Sequence, residues 1–507
     1  MRKLACLLIC CWPLASQATD CAALMAAPGL LQLPDAATTL TSVEAIPASE
    51  ALPAHCRVQG YVAPQVQFEL RLPALTWNGK LLVQGCGGLC GGISNAACDD
   101  ALDRGYAVVA TDMGHQGPAY QSLWALDNRD AEIDFAYRAT HVVTVAAKAL
   151  VASHYERAAD RVYFRGCSTG GRQALVSAQR FPGDFDGIIA GAPVLNETGT
   201  AALHLIWSGR ANLDAQGQPV LTAARVEQVR ARVLAACDAL DGRDDGVIDD
   251  PRRCNWRNAL PACAPAAAIE QCFRAEELTV LDALYQGART TAGDALVPGG
   301  LMPGSEYEWV PNFVGRDGPA TFHPDGPISQ LYQTLLFYRD PGPGHSAAEF
   351  DFDRDPSRLA LVEPLYSALN PDLRKFRDRG GRLIVYQGWD DIEVTPMNTV
   401  DYFEMVERSM GGPQATRSFA RLFMLPGVAH CRRGPGADAV DWLAYLEAWV
   451  EQDRAPDTVL SYHLAKEQNY LGLPRPRYPL ASDGYTWTRE IAAYPAAPMP
   501  PSAAPGP

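Results

Sequence analysis

The chain has 507 residues, 48% of them hydrophobic and 20% charged, with a formal net charge of −15. That length and apolar content fit one large globular domain with an insertion, or two or three small ones. The negative balance excludes the basic face of a nucleic-acid binder and any electrostatic pull toward an anionic membrane surface; its plain consequence is solubility.

At the N-terminus Arg2 and Lys3 precede an apolar run of about ten residues and then small residues, the order of a signal peptide. Cleavage is expected after Ala18, with Ser16 at the −3 place, giving a leader of residues 1–18 and a periplasmic or secreted product. The run is too short to span hydrocarbon, and no later segment is a spanning candidate. Eleven of the fourteen cysteines follow this leader, and an oxidising compartment favours their pairing. Spacing suggests Cys237–Cys254 and Cys263–Cys272, and Cys21–Cys56 would tie down the N-terminal segment. Cys86, Cys90 and Cys98 form a cluster that spacing leaves open; eleven being odd, one of them is expected free.

Along the first half, "KLLVQG" (80–85), "GYAVVATDMG" (105–114), "RVYFRG" (161–166) and "DGIIAGAP" (186–193) read as buried strands. Helical spacing fills the gaps, most clearly over 135–155. Alternating strands and helices imply a parallel sheet covered on both faces. The rhythm stops over about 197–370, which is rich in Gly and Pro and holds four cysteines, as an insertion between two halves of one sheet would. It resumes with strands at 381–388 and 420–427 and a helix at 438–452. The predicted organisation is a first core part (19–196), the insertion (197–370), a second core part (371–490) and a Pro/Ala-rich disordered tail (491–507).

The stretch "YFRGCSTGGRQAL" carries a glycine–x–serine–x–glycine pattern centred on Ser168, between a strand and a helix. Such a tight turn needs small residues around it, lifts the serine hydroxyl above the sheet, and leaves helix N-terminal N–H groups facing a developing oxyanion. A Gly-rich turn with a bystander serine is the bland alternative. A serine nucleophile needs an acid and then a histidine later in the chain, on loops after strands. His430, in "LPGVAHCRR", follows a strand directly; His463 is the other late histidine. The acid falls in "IVYQGWDDIEVTP", where the pattern leaves Asp390 and Asp391 open. Cys167 precedes Ser168 and Cys431 follows His430. Proton transfer needs Ser Oγ within about 2.6–3.2 Å of a His nitrogen, which brings the two cysteines into bridging range of roughly 5.5–6 Å between Cα atoms. A Cys167–Cys431 bond would close a loop of more than 250 residues and hold base and nucleophile in register.

With these residues in place the chain resembles the tannase and feruloyl esterase family, whose signature is a Cys–Ser pair and a His–Cys pair joined by a disulfide beside a Ser–Asp–His triad. The resemblance runs over roughly residues 50 to 470 and includes "ATDMGHQG", "IDFAYRATHVV", "GCSTGGRQALVSAQRFPGDFDGIIAGAPV" and "GGRLIVYQGWDD". It implies an α/β-hydrolase core with a large inserted lid, and it selects Asp391 over Asp390, because the family's acid ends a Gly-Trp-x-Asp element. It also implies an oxyanion hole from the Thr169 N–H and that of Gly87 or Gly88 in "QGCGGLCGG". No Lys–Ser/Thr follows that loop, which excludes a P-loop phosphate cradle.

In the insertion, "CDALDGRDDGVIDDPRRC" places Asp238, Asp241 and Asp245 in a short Gly-containing loop. Hard oxygens at this density suit Ca²⁺, though the spacing is not that of an EF-hand; a solvated acidic turn is the alternative. The resemblance implies a structural Ca²⁺ held by the Asp238, Asp241 and Asp245 side chains and the Arg243 and Val247 carbonyls, in a loop fastened by Cys237–Cys254. Zinc is excluded by the lack of His and by the expected oxidation of the cysteines. The expected function is an exported serine esterase (carboxylic ester hydrolase) acting on a small aromatic ester such as a gallate, a ferulate or a terephthalate monoester. A silent hydrolase-fold binding protein and an exported serine peptidase are the alternatives.

Overall fold

The structure is a computed structural model that describes residues 21–26, 32–265, 268–316, 319–324, 326, 347–466 and 476–495. The expected leader (1–18) and residues 496–507 of the expected tail lie outside the described residues.

Ten strands form one sheet: β1 (Gln32–Leu33), β2 (Ala36–Ile46), β3 (His55–Val62), β4 (Val66–Pro73), β5 (Lys80–Gln84), β6 (Ala107–Thr111), β7 (Arg161–Cys167), β8 (Gly187–Gly191), β9 (Arg382–Gly388) and β10 (Ala420–Leu425). Their spatial order is β1-β2-β3-β4-β6-β5-β7-β8-β9-β10. From β6 onward every neighbour is parallel; β1 to β4 are antiparallel, and β4 joins the parallel part by pairing antiparallel with β6. Parallel strands need covering on both faces, which is why β6, β8 and β10 are buried at every residue and read as mostly apolar runs, Thr111 and Arg421 being the polar exceptions. Alternate residues serve opposite faces. Leu81, Val83, Val109, Ile188 and Val385 pack with the helices Ala139–His154 and Thr169–Arg180. Leu82, Val108, Ile189 and Ile384 pack with the helix Trp442–Gln452.

β2 has a different character. Its buried and exposed positions alternate at the start, as in a strand with one wet face, and with β3 and β4 it extends the sheet beyond the strands expected from sequence. A two-stranded sheet of β11 (Thr458–Leu464) and β12 (Tyr485–Ala492) was also unforeseen. The expected tail start at 491 is therefore corrected: β12 runs through Ala492, and the Tyr494 N–H donates to Leu422 O at 2.7 Å. The helix expected from 438 begins at Trp442, capped by the Asp441 side chain on the Ala444 N–H. The helix expected from 135 opens with a π-turn, Asp134–Arg138, before its regular part.

β8 and β9 are adjacent and parallel, with Gly187 facing Arg382. The intervening chain, which includes the expected lid (197–370), adds no described strand to the sheet; its longest described helices are Ala223–Cys237 and Ala275–Gln286. Among the described residues five disulfides are formed: Cys21–Cys56, Cys86–Cys90, Cys167–Cys431, Cys237–Cys254 and Cys263–Cys272. Cys98 is the free thiol of the cluster that spacing left open; it is buried, and burial pushes it up to about 12. No described helix is long and apolar enough to cross a membrane.

Candidate active site

The loops that follow β5, β7, β9 and β10 all leave the carboxyl edge of the parallel strands, where open α/β sheets build their sites. Ser168 sits between β7 and the helix Thr169–Arg180 with φ 64° and ψ −125°, a left-handed conformation that a side-chain-bearing residue adopts at a cost of about 1–3 kcal/mol. The turn is held by the Ser168 N–H on Gly191 O and the Arg172 N–H on Ser168 O, both 3.0 Å. A Cβ at Gly166 would come within 2.4 Å of Gly170 O, so only glycine lets strand and helix approach this closely.

His430 lies in the loop after β10 and is 2% exposed. Its Nδ1 donates to Asp391 Oδ2 at 2.8 Å. Asp391, fully buried, is fixed on its other sides: Gln387 Nε2 donates to Oδ2 at 2.8 Å, and the Glu393 and Val394 N–H groups donate to Oδ1 at 2.9 Å each. Gln387 is oriented by Thr399 Oγ1 at 2.9 Å. Asp390 faces the other way, toward Tyr307 and Gly304; burial, with Glu306 close by, holds its carboxyl well above the usual carboxylate range. The turn thus sends two adjacent aspartates in opposite directions, and Asp391 is the one that meets the histidine. Burial pulls the His430 imidazole down, but the charges of Asp391 and Glu393 and the Asp391 hydrogen bond outweigh it and push it up to about 9.

Cys167 and Cys431 are joined at an S–S distance of 2.05 Å with Cα atoms 6.0 Å apart, across a separation of 264 residues. The bond clasps the residue before Ser168 to the residue after His430. The glycine-rich loop after β5 is fixed to the same turn: Thr169 Oγ1 donates to Gly88 O at 2.6 Å, and Cys86–Cys90 staples the loop to itself. Gly88 has φ 58°, and a Cβ there would meet Ala119 O at 2.6 Å.

Ser168, Thr169, Gly88 and His430 line one cleft, walled further by Tyr120, Val194, Leu205, Phe322 and Glu393. Gly87 is not among its walls. Neither are Tyr307, Trp309 and Phe313, aromatics of the chain between β8 and β9: Trp309 and Phe313 are core, and Phe322, stacked on Phe313 at 5.4 Å, reaches the cleft instead. Sequence reasoning missed Gln387, Glu393 and His204. The last is buried beneath the acid loop with Nε2 2.7 Å from Ile392 O. No residue pattern flags them, because their roles arise only when the loops close.

In the acidic loop, Cys237–Cys254 is formed with Cα atoms 5.3 Å apart. The Asp238 carboxylate accepts from the Gly246 N–H at 2.8 Å, Asp241 from the Arg243 N–H at 2.9 Å, and Asp245 from the Val247 N–H at 3.2 Å and from Arg489 of β12. Among the described residues no group of three or more His, Cys, Asp or Glu side chains is gathered as a metal would gather it. The donor set is all oxygen, as a hard cation takes; burial pushes the neighbouring Asp249 up to about 6, with the Arg489 charge opposing the rise.

The profile of the tannase and feruloyl esterase family matches residues 50–501. The chain is 32% identical to a mono(2-hydroxyethyl) terephthalate hydrolase of Piscinibacter sakaiensis, covering 89% of this chain and 86% of that one. It is 30% identical to a probable feruloyl esterase B-2 of Aspergillus flavus, covering 82% of each. Its fold superposes on the crystal structure of feruloyl esterase B from Aspergillus oryzae with a TM-score of 0.78 at 25% identity, over 94% of this chain and 96% of that one. The chain therefore belongs to the tannase and feruloyl esterase family and is a carboxylic ester hydrolase.

Proposed function

We propose that this protein is an exported serine esterase that hydrolyses esters of aromatic, phenolic carboxylic acids through an acyl-enzyme. The observation that carries the reading is the 2.8 Å hydrogen bond from His430 Nδ1 to Asp391, in a loop bridged by sulfur to the turn bearing Ser168. Asp391 fixes the imidazole through Nδ1, and Nε2 takes the Ser168 proton as Oγ attacks the ester carbonyl. The imidazolium is stabilised by Asp391 and then gives the proton to the departing alcohol. Water, deprotonated by His430, releases the acid in the second half. The Thr169 N–H at the helix start and an N–H of the glycine loop meet the oxyanion. In that loop the Leu89, Cys90 and Gly91 N–H groups donate to Ala119, Gly87 and Asp112 carbonyls. Gly87 and Gly88 are the expected donors, and Gly88 is the one on the cleft.

The chain between β8 and β9 acts as the lid and supplies Val194, Leu205 and Phe322 to the acyl pocket. The names of the relatives, a terephthalate monoester hydrolase and a feruloyl esterase, bring the aromatic acyl class to this chain. Five disulfides support export to an oxidising compartment. Structural Ca²⁺ would be held by Asp238, Asp241 and Asp245 with the Arg243 and Val247 carbonyls. It would neutralise the loop's charge and stiffen the lid, away from the chemistry. The test is turnover of methyl gallate, methyl ferulate and a terephthalate monoester by the purified protein and by Ser168→Ala. Wild-type hydrolysis of at least one ester, lost by a factor of ~10⁴ or more in the variant, is expected; full activity in Ser168→Ala would refute the assignment.

A further inference from the structure

We infer that Glu393 is a specificity-determining residue that makes this active centre select esters bearing no free carboxylate. The inference rests on the esterase reading above and adds to it the charge of the substrate. Glu393 stands two residues past Asp391, and its backbone N–H is bound to Asp391 Oδ1, so the main chain there has no freedom to drift. Its side chain returns toward the cleft and places Oε2 3.9 Å from His430 Nε2. That nitrogen is the one that must face Ser168 and the leaving group, so the carboxylate borders the space where the ester reacts. A second carboxylate, Glu197, lines the same cleft and leans on Arg172 at 3.2 Å behind it. Among the described walls of the cleft there is no Lys or Arg. Asp391 and Arg433 also act on His430, and Arg433 lies 3.8 Å from Glu308. Tyr120, which lines the same cleft, feels the same field: burial and then the Glu393 charge push its phenol up.

One charge at this position has two effects. It steadies the imidazolium that forms when Ser168 gives up its proton, and it repels a substrate that carries its own negative charge. Two like charges about 8 Å apart at an effective dielectric constant near 20 differ from a neutral pair by about thirtyfold in binding. Screening at ordinary ionic strength reduces this to about tenfold. The net charge of −15 acts in the same direction from longer range. A neutral phenolic ester is indifferent to this field, whereas a terephthalate monoester, with its distal carboxylate ionised, is not.

The experiment compares two substrates of one scaffold, dimethyl terephthalate (neutral) and monomethyl terephthalate (anionic), with wild type, Glu393→Gln and Glu393→Asp. Wild type is expected to favour the neutral ester in kcat/KM by about tenfold. Glu393→Gln should narrow the ratio to about threefold or less, and Glu393→Asp, which keeps the charge, should largely restore it. On the neutral ester, Glu393→Gln should also move the acid limb of the kcat/KM profile to lower pH, a change that loss of packing alone would not produce. An unchanged ratio in Glu393→Gln, with Ser168→Ala inactive, overturns this inference and leaves the esterase standing. Persistent turnover in Ser168→Ala overturns both.

Discussion

Removing the active-site disulfide by the paired change Cys167→Ala and Cys431→Ala should lower stability and catalysis by separable amounts. The bond closes 264 residues. Loop-closure entropy puts its effect on the unfolded chain at about 5–6 kcal/mol, and measured values usually fall below that relation, so ~4 kcal/mol is the working figure. With about 2.1 cal/mol/K of unfolding entropy per residue, a 507-residue chain should lose about 4 °C in Tm. Catalysis should suffer for a different reason. Cys431 adjoins the base, and a shift of about 1 Å in the His430 loop is enough to cost on the order of a hundredfold. We expect kcat on a phenolic ester at 25 °C to fall by about ten- to a hundredfold, with KM changing far less. The control is Cys263→Ala with Cys272→Ala, a bridge of separation 9 in the insertion, which should lower Tm without lowering kcat. Differential scanning fluorimetry and steady-state kinetics read both quantities. If the Cys167/Cys431 variant loses Tm but keeps kcat within twofold, the bond is a staple only, and the argument that it aligns the base is wrong.

Further outcomes follow from the structure. Asp391→Asn should cut kcat by ~10³–10⁴, as loss of the orienting carboxylate does in such triads. Asp390→Asn should cost far less, since Asp390 faces Tyr307 rather than His430; comparable losses in the two would undo the assignment. His430 is held up to about 9, and the base must be neutral to act, so the acid limb of kcat/KM should lie above 6.5 and activity should rise toward alkaline pH. The same raised value means that the histidine's contribution to stability is complete below about 6.5 and is lost as pH rises through about 9; the Tm gap between wild type and His430→Gln should narrow from pH 6 to pH 10. Calcium added at about a hundred times its Kd to chelator-treated protein should raise Tm by a few degrees through mass action. Asp241→Asn should abolish that rise while leaving kcat at 25 °C intact, and a loss of kcat on chelation would show that the ion serves the chemistry.

The parallel half of the sheet was legible in the sequence because burial on both faces writes strands as continuous apolar runs, and β5 to β10 fall where those runs are. β2 to β4 and β11 to β12 carry a mixed pattern with exposed Thr, Glu and Gln, so their strands do not stand out as apolar runs. The cysteines flanking Ser168 and His430 gave the site a signature that ordinary triads lack. Local pattern alone did not separate Asp390 from Asp391, because adjacent residues in one turn diverge only in three dimensions. Glu393 was invisible for the same reason: its nearness to His430 Nε2 is a property of how two loops meet.

Four of the five sulfur bridges join cysteines that are neighbours in the order of synthesis, leaving Cys98 aside; Cys167–Cys431 alone skips over four others. An oxidant that coupled each thiol to the next one emerging would trap Cys167 with Cys98 and leave Cys431 stranded, or trap it with Cys237 and shift every later pair by one cysteine. The chain must either keep Cys167 reduced until its last quarter has been made, or pass through a thiol exchange that corrects the error. Yield of working enzyme in a foreign host should accordingly depend on a disulfide isomerase more than on the strength of the oxidant.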